Sequence, residues 1–237
     1  MTKPATSTKT VKRQPAPRLR ARRGNVDDHT AIRQQILLAA FKLQKEQGGF
    51  ENLSMRSLAE QVGLSAMGLY RYFSGKDAVL QAMWEQVLTE ALSYTSAAAF
   101  KGQTARARLA AGIDAFLDYW EREPDHYRLV FTYTHTLSPA EGSGLIENPA
   151  YQNATRLGSQ LIDDFIREVG GDPARHEEAR DLRLALMVGY LHARLVNRRF
   201  AWGDFDALRR NTTQTIVMGI EACVTQRPPA CAHPSAC

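Results

Sequence analysis

Apolar residues recur along most of the chain at the three- and four-residue spacing of an amphipathic helix. The later predicted helices are 105–123, 125–135, 149–170, 173–200 and one that ends near Thr225. No segment shows the period-two alternation between hairpin turns that is typical of strands. The pattern therefore predicts an all-α protein, and we find no internal repeat.

The first predicted helix ends at Gly48-Gly49 and begins near residues that commonly cap helices. Its apolar stripe consists of Ile32, Ile36, Ala39, Ala40 and Leu43. Asp27, Asp28 and Thr30 precede the stripe and are candidate N-caps.

Two short helices separated by a glycine come next. Ser54 can cap the first of them, which Gly63 ends after about two turns, and the second is predicted over Ser65–Phe73. Ser74 and Asp77 then resemble a capping box that opens a helix continuing to about Tyr94. Two short helices joined by a glycine-containing turn are typical of the helix-turn-helix motif, whose second helix enters a DNA groove.

The second short helix combines an apolar side with a side suited to DNA. No acidic residue occurs between Glu60 and Asp77. Leu69 and Phe73 lie four residues apart, so they share a face that should pack against Ile36, Leu58 and Val62. The residues that then project from the other side are Ala66, Met67, Tyr70 and Arg71. Gly68 would let the helix backbone approach base edges closely, although glycine costs a helix about 1 kcal/mol relative to alanine.

The segment LSMRSLAEQVGLSAMGLYRYFSGKDAVL resembles the DNA-binding segment of the TetR family of bacterial repressors. The shared features, in order, are Leu58-Ala59, Val62-Gly63, Leu69-Tyr70, Phe73, Lys76 and Leu80. The resemblance covers roughly residues 29–92. It implies a three-helix N-terminal helix-turn-helix DNA-binding domain followed by a helical C-terminal ligand-binding and dimerisation domain.

The resemblance also assigns roles to individual positions. The positions that match phosphate-holding residues are Ser54, Tyr70, Tyr72 and Lys76. Those that match base-facing residues are Arg56, Ala66, Met67, Gly68 and Arg71, and Ser65 is expected to lie on the same DNA-binding surface. Of these, Arg56 and Arg71 are the two that could make a bidentate contact to guanine. The alternatives are core packing for Tyr70 and a solvated surface for Arg71 and Lys76.

Charge is distributed unevenly along the chain. Of a formal net charge of +5, the first 26 residues contribute eight Lys or Arg side chains and no acid. They are expected to form a disordered basic arm, which either enters a minor groove through its 17–24 segment or acts as an electrostatic tail. The predicted domains are 27–76 for DNA binding and 77–226 for ligand binding and dimerisation, with a flexible tail at 227–237.

Aromatic residues at helical spacing in the middle of the chain predict a ligand pocket. The candidate ligand-binding residues are Phe116, Trp120, Tyr127, Phe131 and Tyr190, with Tyr133 and His135 nearby. Simple core packing is the alternative for each. The last two helices carry more apolar residues than one narrow stripe requires, and the resemblance implies that they form a homodimer interface. Burial within one subunit is the alternative here.

Other classes of function find little support. We find no catalytic motif, so an enzyme is not expected, and no cofactor is predicted. Cys231, His233 and Cys237 follow Cys223 at a spacing that matches no familiar zinc pattern, so no metal site is predicted. No run approaches the roughly 18 apolar residues of a membrane span, and no secretory signal is present, so a cytoplasmic location without membrane partners is expected.

The sequence thus predicts a homodimeric repressor that binds a palindromic operator in double-stranded DNA and is released by a small-molecule effector. Two alternatives stay open at this stage. One is an architectural DNA-binding protein without a ligand, and the other is a redox sensor that uses Cys231 and Cys237.

Overall fold

The computed structural model of the protein describes residues 26–50, 52–132, 148–197 and 199–226. Several predictions concern residues outside these ranges: the basic arm, the C-terminal tail with its two cysteines and His233, and Tyr133 and His135. The described residues form helices and no strand, which confirms the predicted all-α class. The chain divides into two compact units, Met1–Met83 and Trp84–Cys237.

The N-terminal unit contains helices α1 (Val26–Gln47), α2 (Met55–Val62), α3 (Ala66–Tyr70) and the start of α4 (Lys76–Ala99). Because α1 begins at Val26, the prediction that Asp27, Asp28 or Thr30 caps it is wrong. Asp28 and Thr30 lie inside the first turns, where an acidic side chain such as Asp28 is also favoured by the helix dipole. Ile36, Leu58 and Leu69 are fully buried together with the nearly buried Val62 and Phe73, which confirms the predicted core.

Two helix ends in the first hundred residues differ from prediction. Helix α3 stops at Tyr70, three residues early, because the amides of Tyr72 and Phe73 both turn back to the Leu69 carbonyl. Helix α4 runs on past Tyr94 to Ala99, since the last residues of this segment are alanines, the strongest helix formers.

The described residues of the C-terminal unit contain the rest of α4 and five further α-helices. They are α5 (Ala105–Arg122), α6 (Pro124–Tyr127), α7 (Pro149–Val169), α8 (His176–Leu195) and α9 (Phe205–Thr225). A π-helical turn, Arg128–Thr132, continues α6, and a 3-10 turn, Pro173–Arg175, precedes α8. Helices α5, α7, α8 and α9 pack together around a core of aliphatic and aromatic side chains.

The predicted 173–200 helix is therefore wrong at both ends. The Asp172 carboxylate accepts a hydrogen bond from the Ala174 amide at 2.9 Å and so caps a separate turn before α8. At the other end, the amides of Val196 and Asn197 both donate to the His192 carbonyl at 3.0 Å, which ends α8 at Leu195.

The end of α9 is hydrogen-bonded to the segment before α8. The Asp172 amide donates to the Val224 carbonyl at 2.9 Å, and Cys223 is a buried free thiol beside this contact. Burial raises the pKa of the Cys223 thiol. None of the helices within the described ranges is both long enough and apolar enough to cross a membrane.

Candidate functional site

Helix α2 is held at both ends by local hydrogen bonds. The Ser54 hydroxyl accepts from the Ser57 amide at 3.1 Å, and the Ser57 hydroxyl accepts from the Ser54 amide at 3.3 Å. At the other end Gly63 adopts a left-handed conformation with φ of 69°, which favours glycine, and its amide bonds back into the helix. These caps fix the point from which α3 begins.

Helix α3 starts at a serine cap that explains its glycine. The Ser65 hydroxyl accepts a hydrogen bond from the Gly68 amide at 3.0 Å. A Cβ on residue 68 would lie 3.2 Å from this same oxygen, which is tighter than an ordinary contact. Gly68 thus leaves room for the cap, a reason that the sequence reasoning missed when it considered only close approach to bases.

The surface of α3 that faces away from the core is the recognition face, defined by Ser65, Ala66, Met67, Tyr70 and Arg71. All five residues are exposed, Met67 to 78% and Tyr70 to 50%. The structure therefore brings five of the predicted DNA-binding residues onto one surface. An exposed methionine and tyrosine on a helix with buried Leu69 cannot be contributing to the core of this unit.

The two candidate base-reading arginines differ in their partners. The Arg56 side chain is 89% exposed and its Nε lies 3.2 Å from a Glu60 carboxylate oxygen. Arg71 is exposed and makes no hydrogen bond or ion pair to any residue that the structure describes. Arg71 can therefore engage an acceptor at once, whereas Arg56 must first leave Glu60.

Tyr72 is placed differently from Tyr70. Its ring is buried, and it lies against His29 of α1 with ring centroids 4.7 Å apart. Arg33, also in α1, donates to the Tyr72 carbonyl and stacks its guanidinium 4.2 Å from the Phe73 ring centroid. His29 and Arg33 thus brace the segment after α3. Sequence reasoning missed both, because nothing in their local pattern indicates the long-range contact.

The predicted ligand-binding aromatics in α5, α6 and the π-helical turn that follows form one cluster. Trp120 lies at the centre, with its ring centroid 5.8 Å from Phe116, 6.3 Å from Tyr127 and 5.2 Å from Phe131. Tyr127 and Phe131 also stack at 5.0 Å. Trp120 and Tyr127 are almost completely buried, and the Trp120 indole nitrogen has no hydrogen-bond partner among the described residues. These side chains therefore form a largely buried apolar cluster.

Tyr190, the fifth predicted ligand residue, belongs to a polar network instead. Its hydroxyl donates to Glu121 of α5, and burial with this bond raises its pKa. Arg209 of α9 lies in the same network and bonds Asp114 at 2.9 Å, Asp118 at 3.1 Å and Glu121 at 3.2 Å. These contacts raise the pKa of Arg209, so its charge is held in place.

A groove of about 480 Å³ adjoins this network. Its lining includes Glu121, Pro124, Arg194 and an aromatic set made of Phe200, Trp202 and Phe205. The Phe200 and Trp202 rings lie 4.7 Å apart. These aromatic residues were not predicted, since the segment between α8 and α9 was assigned in part to a continuous helix.

The potential metal ligands among the described residues are not arranged as a metal site. Across the described parts of the chain, no three His, Cys, Asp or Glu side chains come together as a metal site would require.

Comparison with known proteins gives three kinds of similarity. Residues 36–83 match the model of the family described as bacterial regulatory proteins, tetR family. The chain is 30% identical over 118 residues to the HTH-type transcriptional activator FasR of Mycolicibacterium smegmatis, covering 50% of this chain and 53% of that protein. It is 28% identical over 98 residues to the nucleoid occlusion factor SlmA of Haemophilus influenzae, covering 41% and 45%. The chain thus spans about half the length of these curated relatives.

Solved structures resemble a larger share of the chain. The transcriptional regulator FadR from Bacillus subtilis, in complex with stearoyl-CoA, aligns with a TM-score of 0.66 at 16% identity, covering 78% of this chain and 98% of that one. A transcriptional regulator of the TetR/AcrR family from Thermobifida fusca aligns with a TM-score of 0.62 at 20% identity, covering 80% and 98%. At these identities the likeness shows the shared fold.

Proposed function

Because the chain belongs to the tetR family of bacterial regulatory proteins, we propose that it is a transcriptional repressor that binds a palindromic DNA operator as a homodimer. The recognition face carries the proposal: an exposed helix surface with no acidic side chain, where Arg71 has no partner among the described residues. Arg71 reads a base edge, and Ser54, Tyr70 and Lys76 hold backbone phosphates.

The homodimer forms through α8 and α9. Both helices expose large apolar side chains in the single subunit, with Leu184 45% exposed and Met218 57% exposed. Two-fold pairing would bury them and place two recognition faces on successive turns of the major groove, about 34–36 Å apart.

A small-molecule effector binds in the C-terminal unit and releases the DNA. The aromatic cluster around Trp120 supports an effector with a sizeable apolar part, and the similar FadR structure from Bacillus subtilis holds stearoyl-CoA. Linkage then requires the effector to bind the DNA-free form more tightly than the DNA-bound form.

The two alternatives are not favoured. The proteins similar to this chain include several transcriptional regulators, which supports regulation over a purely architectural role. Cys223 is buried, and the two cysteines that a redox sensor would use lie outside the described residues.

The decisive experiment selects genomic fragments bound by the purified protein and footprints them. We expect a short palindrome with two protein chains per fragment. Binding without a common sequence would contradict a specific repressor. In cells, a promoter carrying the palindrome should become more active when the protein is removed, and reduced activity would contradict repression in favour of activation.

Two substitutions test the assignment of roles on this palindrome. Arg71→Ala should lose roughly 1–3 kcal/mol of the binding preference for the correct base at one base pair of each half-site. Lys76→Ala should weaken binding to all DNA sequences, and the slope of the logarithm of the binding constant against the logarithm of the salt concentration should become smaller by about 1. Arg156→Ala, which removes another exposed arginine, from α7, is the matched control and should bind DNA as the wild type does. Equal effects of the first two on every sequence would show that Arg71 does not read bases.

A further inference from the structure

Arg183 occupies an inward position on α8. It lies four residues after Ala179 and four before Met187, and both of these are buried, so the three residues share one face of the helix. Ala185 and His192 are exposed on the opposite side. A second subunit that covers the exposed side would therefore not reach the Arg183 guanidinium.

Gly158 of α7 makes room for this guanidinium. A Cβ at residue 158 would lie 2.1 Å from Nη2 of Arg183 and 2.9 Å from both Cζ and Nη1. Any other residue at 158 would thus occupy the space that the guanidinium fills. The residues next to Gly158 on α7 include the buried Leu157, Leu161 and Ile162, so the surroundings are apolar.

The Arg183 charge has no partner in the described parts of the chain. Its Nε is buried without a hydrogen bond, and no carboxylate there forms an ion pair with it. Desolvation without an opposing charge lowers the pKa of Arg183 to about 10, so the group is still cationic at neutral pH. Arg106, Arg108 and Arg209 in the same unit all pair with carboxylates.

A desolvated cation without a counter-charge is unfavourable, and folding alone gives no reason to keep it. The residue as a whole is intermediate in exposure and is not fully buried. A guanidinium presents its donors in a planar fork that matches a carboxylate or a phosphate. The apolar residues beside it suit a ligand whose remaining part is apolar.

We propose that Arg183 binds the anionic headgroup, a carboxylate or a phosphate, of an amphipathic effector within the C-terminal unit. This deepens the proposed function, because it names the chemical class of the effector. The anionic headgroup supplies the counter-charge that Arg183 lacks, and the aliphatic side chains around Gly158 contact the apolar part of the ligand.

The test measures binding to the full-length protein by calorimetry, without DNA, so that it is independent of operator binding. Dodecanoate, dodecyl phosphate and dodecanol, each below its aggregation threshold, share a tail and differ in headgroup. We expect at least one anionic probe to bind at least tenfold more tightly than dodecanol. Whichever anion binds more tightly identifies the headgroup as carboxylate or phosphate.

Substitutions then assign the binding to Arg183. Arg183→Gln should weaken binding of the anionic probe roughly 10- to 100-fold and leave binding of dodecanol unchanged. This is the size of effect expected for losing hydrogen bonds to a charged group. Arg183→Lys should retain part of the preference for the anion, and Arg156→Gln should retain all of it. Wild-type protein that binds neither anion, or binds dodecanol equally well, would overturn the proposal, as would unaltered anion binding by Arg183→Gln in a folded protein. Failure of operator binding would count against the proposed function alone.

Discussion

Two arginines in the C-terminal unit, Arg209 and Arg183, have opposite electrostatic environments. Arg209 leaves α9 to reach three carboxylates on α5, and these contacts raise its pKa. Arg183 leaves α8 to lie against the backbone of α7 at Gly158, and burial lowers its pKa. Both are only partly exposed, so the difference lies in the counter-charges that the fold provides.

The difference indicates which of the two arginines stabilises the folded protein. Removing one member of a paired, desolvated network leaves the others uncompensated and is costly, whereas replacing an unpaired buried charge with an apolar group is often neutral or stabilising. Arg209 should therefore be needed for stability. Arg183 should be dispensable for stability and needed for a ligand.

Arg209→Met should produce the largest loss of stability. It would leave Asp114, Asp118 and Glu121 close together without their shared cation, at a cost of about 3 kcal/mol. Urea unfolding followed by circular dichroism measures this change. Arg122→Met is the matched control, because that side chain is 64% exposed where it pairs with Asp118 and should cost under about 1 kcal/mol. Similar losses for both variants would contradict a special role for Arg209.

Gly158→Ala should have the next largest effect. The new methyl group would collide with the Arg183 guanidinium, and such overpacking costs about 2 kcal/mol. In an Arg183→Ala background the space is vacant, so the same change should become stabilising by roughly the 1 kcal/mol helix preference of alanine over glycine. An equal loss of unfolding free energy in both backgrounds would show that Gly158 is not required to make room for the guanidinium.

Arg183→Met should have the smallest effect and the opposite sign to Arg209→Met. Without ligand, we expect the free energy of unfolding to stay level or to rise by about 1 kcal/mol, since an unpaired charge is replaced by an apolar chain of similar length. The same urea unfolding experiment reports it. A loss above about 2 kcal/mol would mean that Arg183 has a structural partner after all, and the contrast with Arg209 would disappear.

The N-terminal unit could be predicted from sequence because its signals are local. Ser54, Gly63 and Ser65 mark helix ends within a few residues of the groups they bond, and the spacing of Leu69 and Phe73 defines a buried face. The limit appears at Tyr70 and Tyr72, which look alike in sequence. Helix α3 ends between them, so one tyrosine is exposed and the other is buried against α1.

The C-terminal unit shows where such reasoning stops. Arg209 and its partner Asp114 are 95 residues apart, and no local pattern connects them. Arg183 lies between Leu182 and Leu184 in the apolar run of α8, and no local pattern indicated that its charge would be buried. The aromatic cluster around Trp120 was predicted from helical spacing, but the aromatic groove near Phe200 was missed, because α8 ends earlier than the apolar pattern suggested.

The composition of the recognition face has a consequence for finding one site in a whole genome. In the proposed complex, Arg71 of each subunit would offer direct readout of a base pair from a guanidinium that has no partner among the described residues, whereas Arg56 pairs with Glu60 at the surface. One bidentate contact discriminates by about 1–3 kcal/mol, against roughly 10⁶–10⁹ competing positions in a genome. Two such contacts in the proposed dimer would supply only part of that selectivity. On this proposal, the remaining information would come from apolar contacts by Ala66 and Met67 and from how readily the operator adopts the shape that the protein requires.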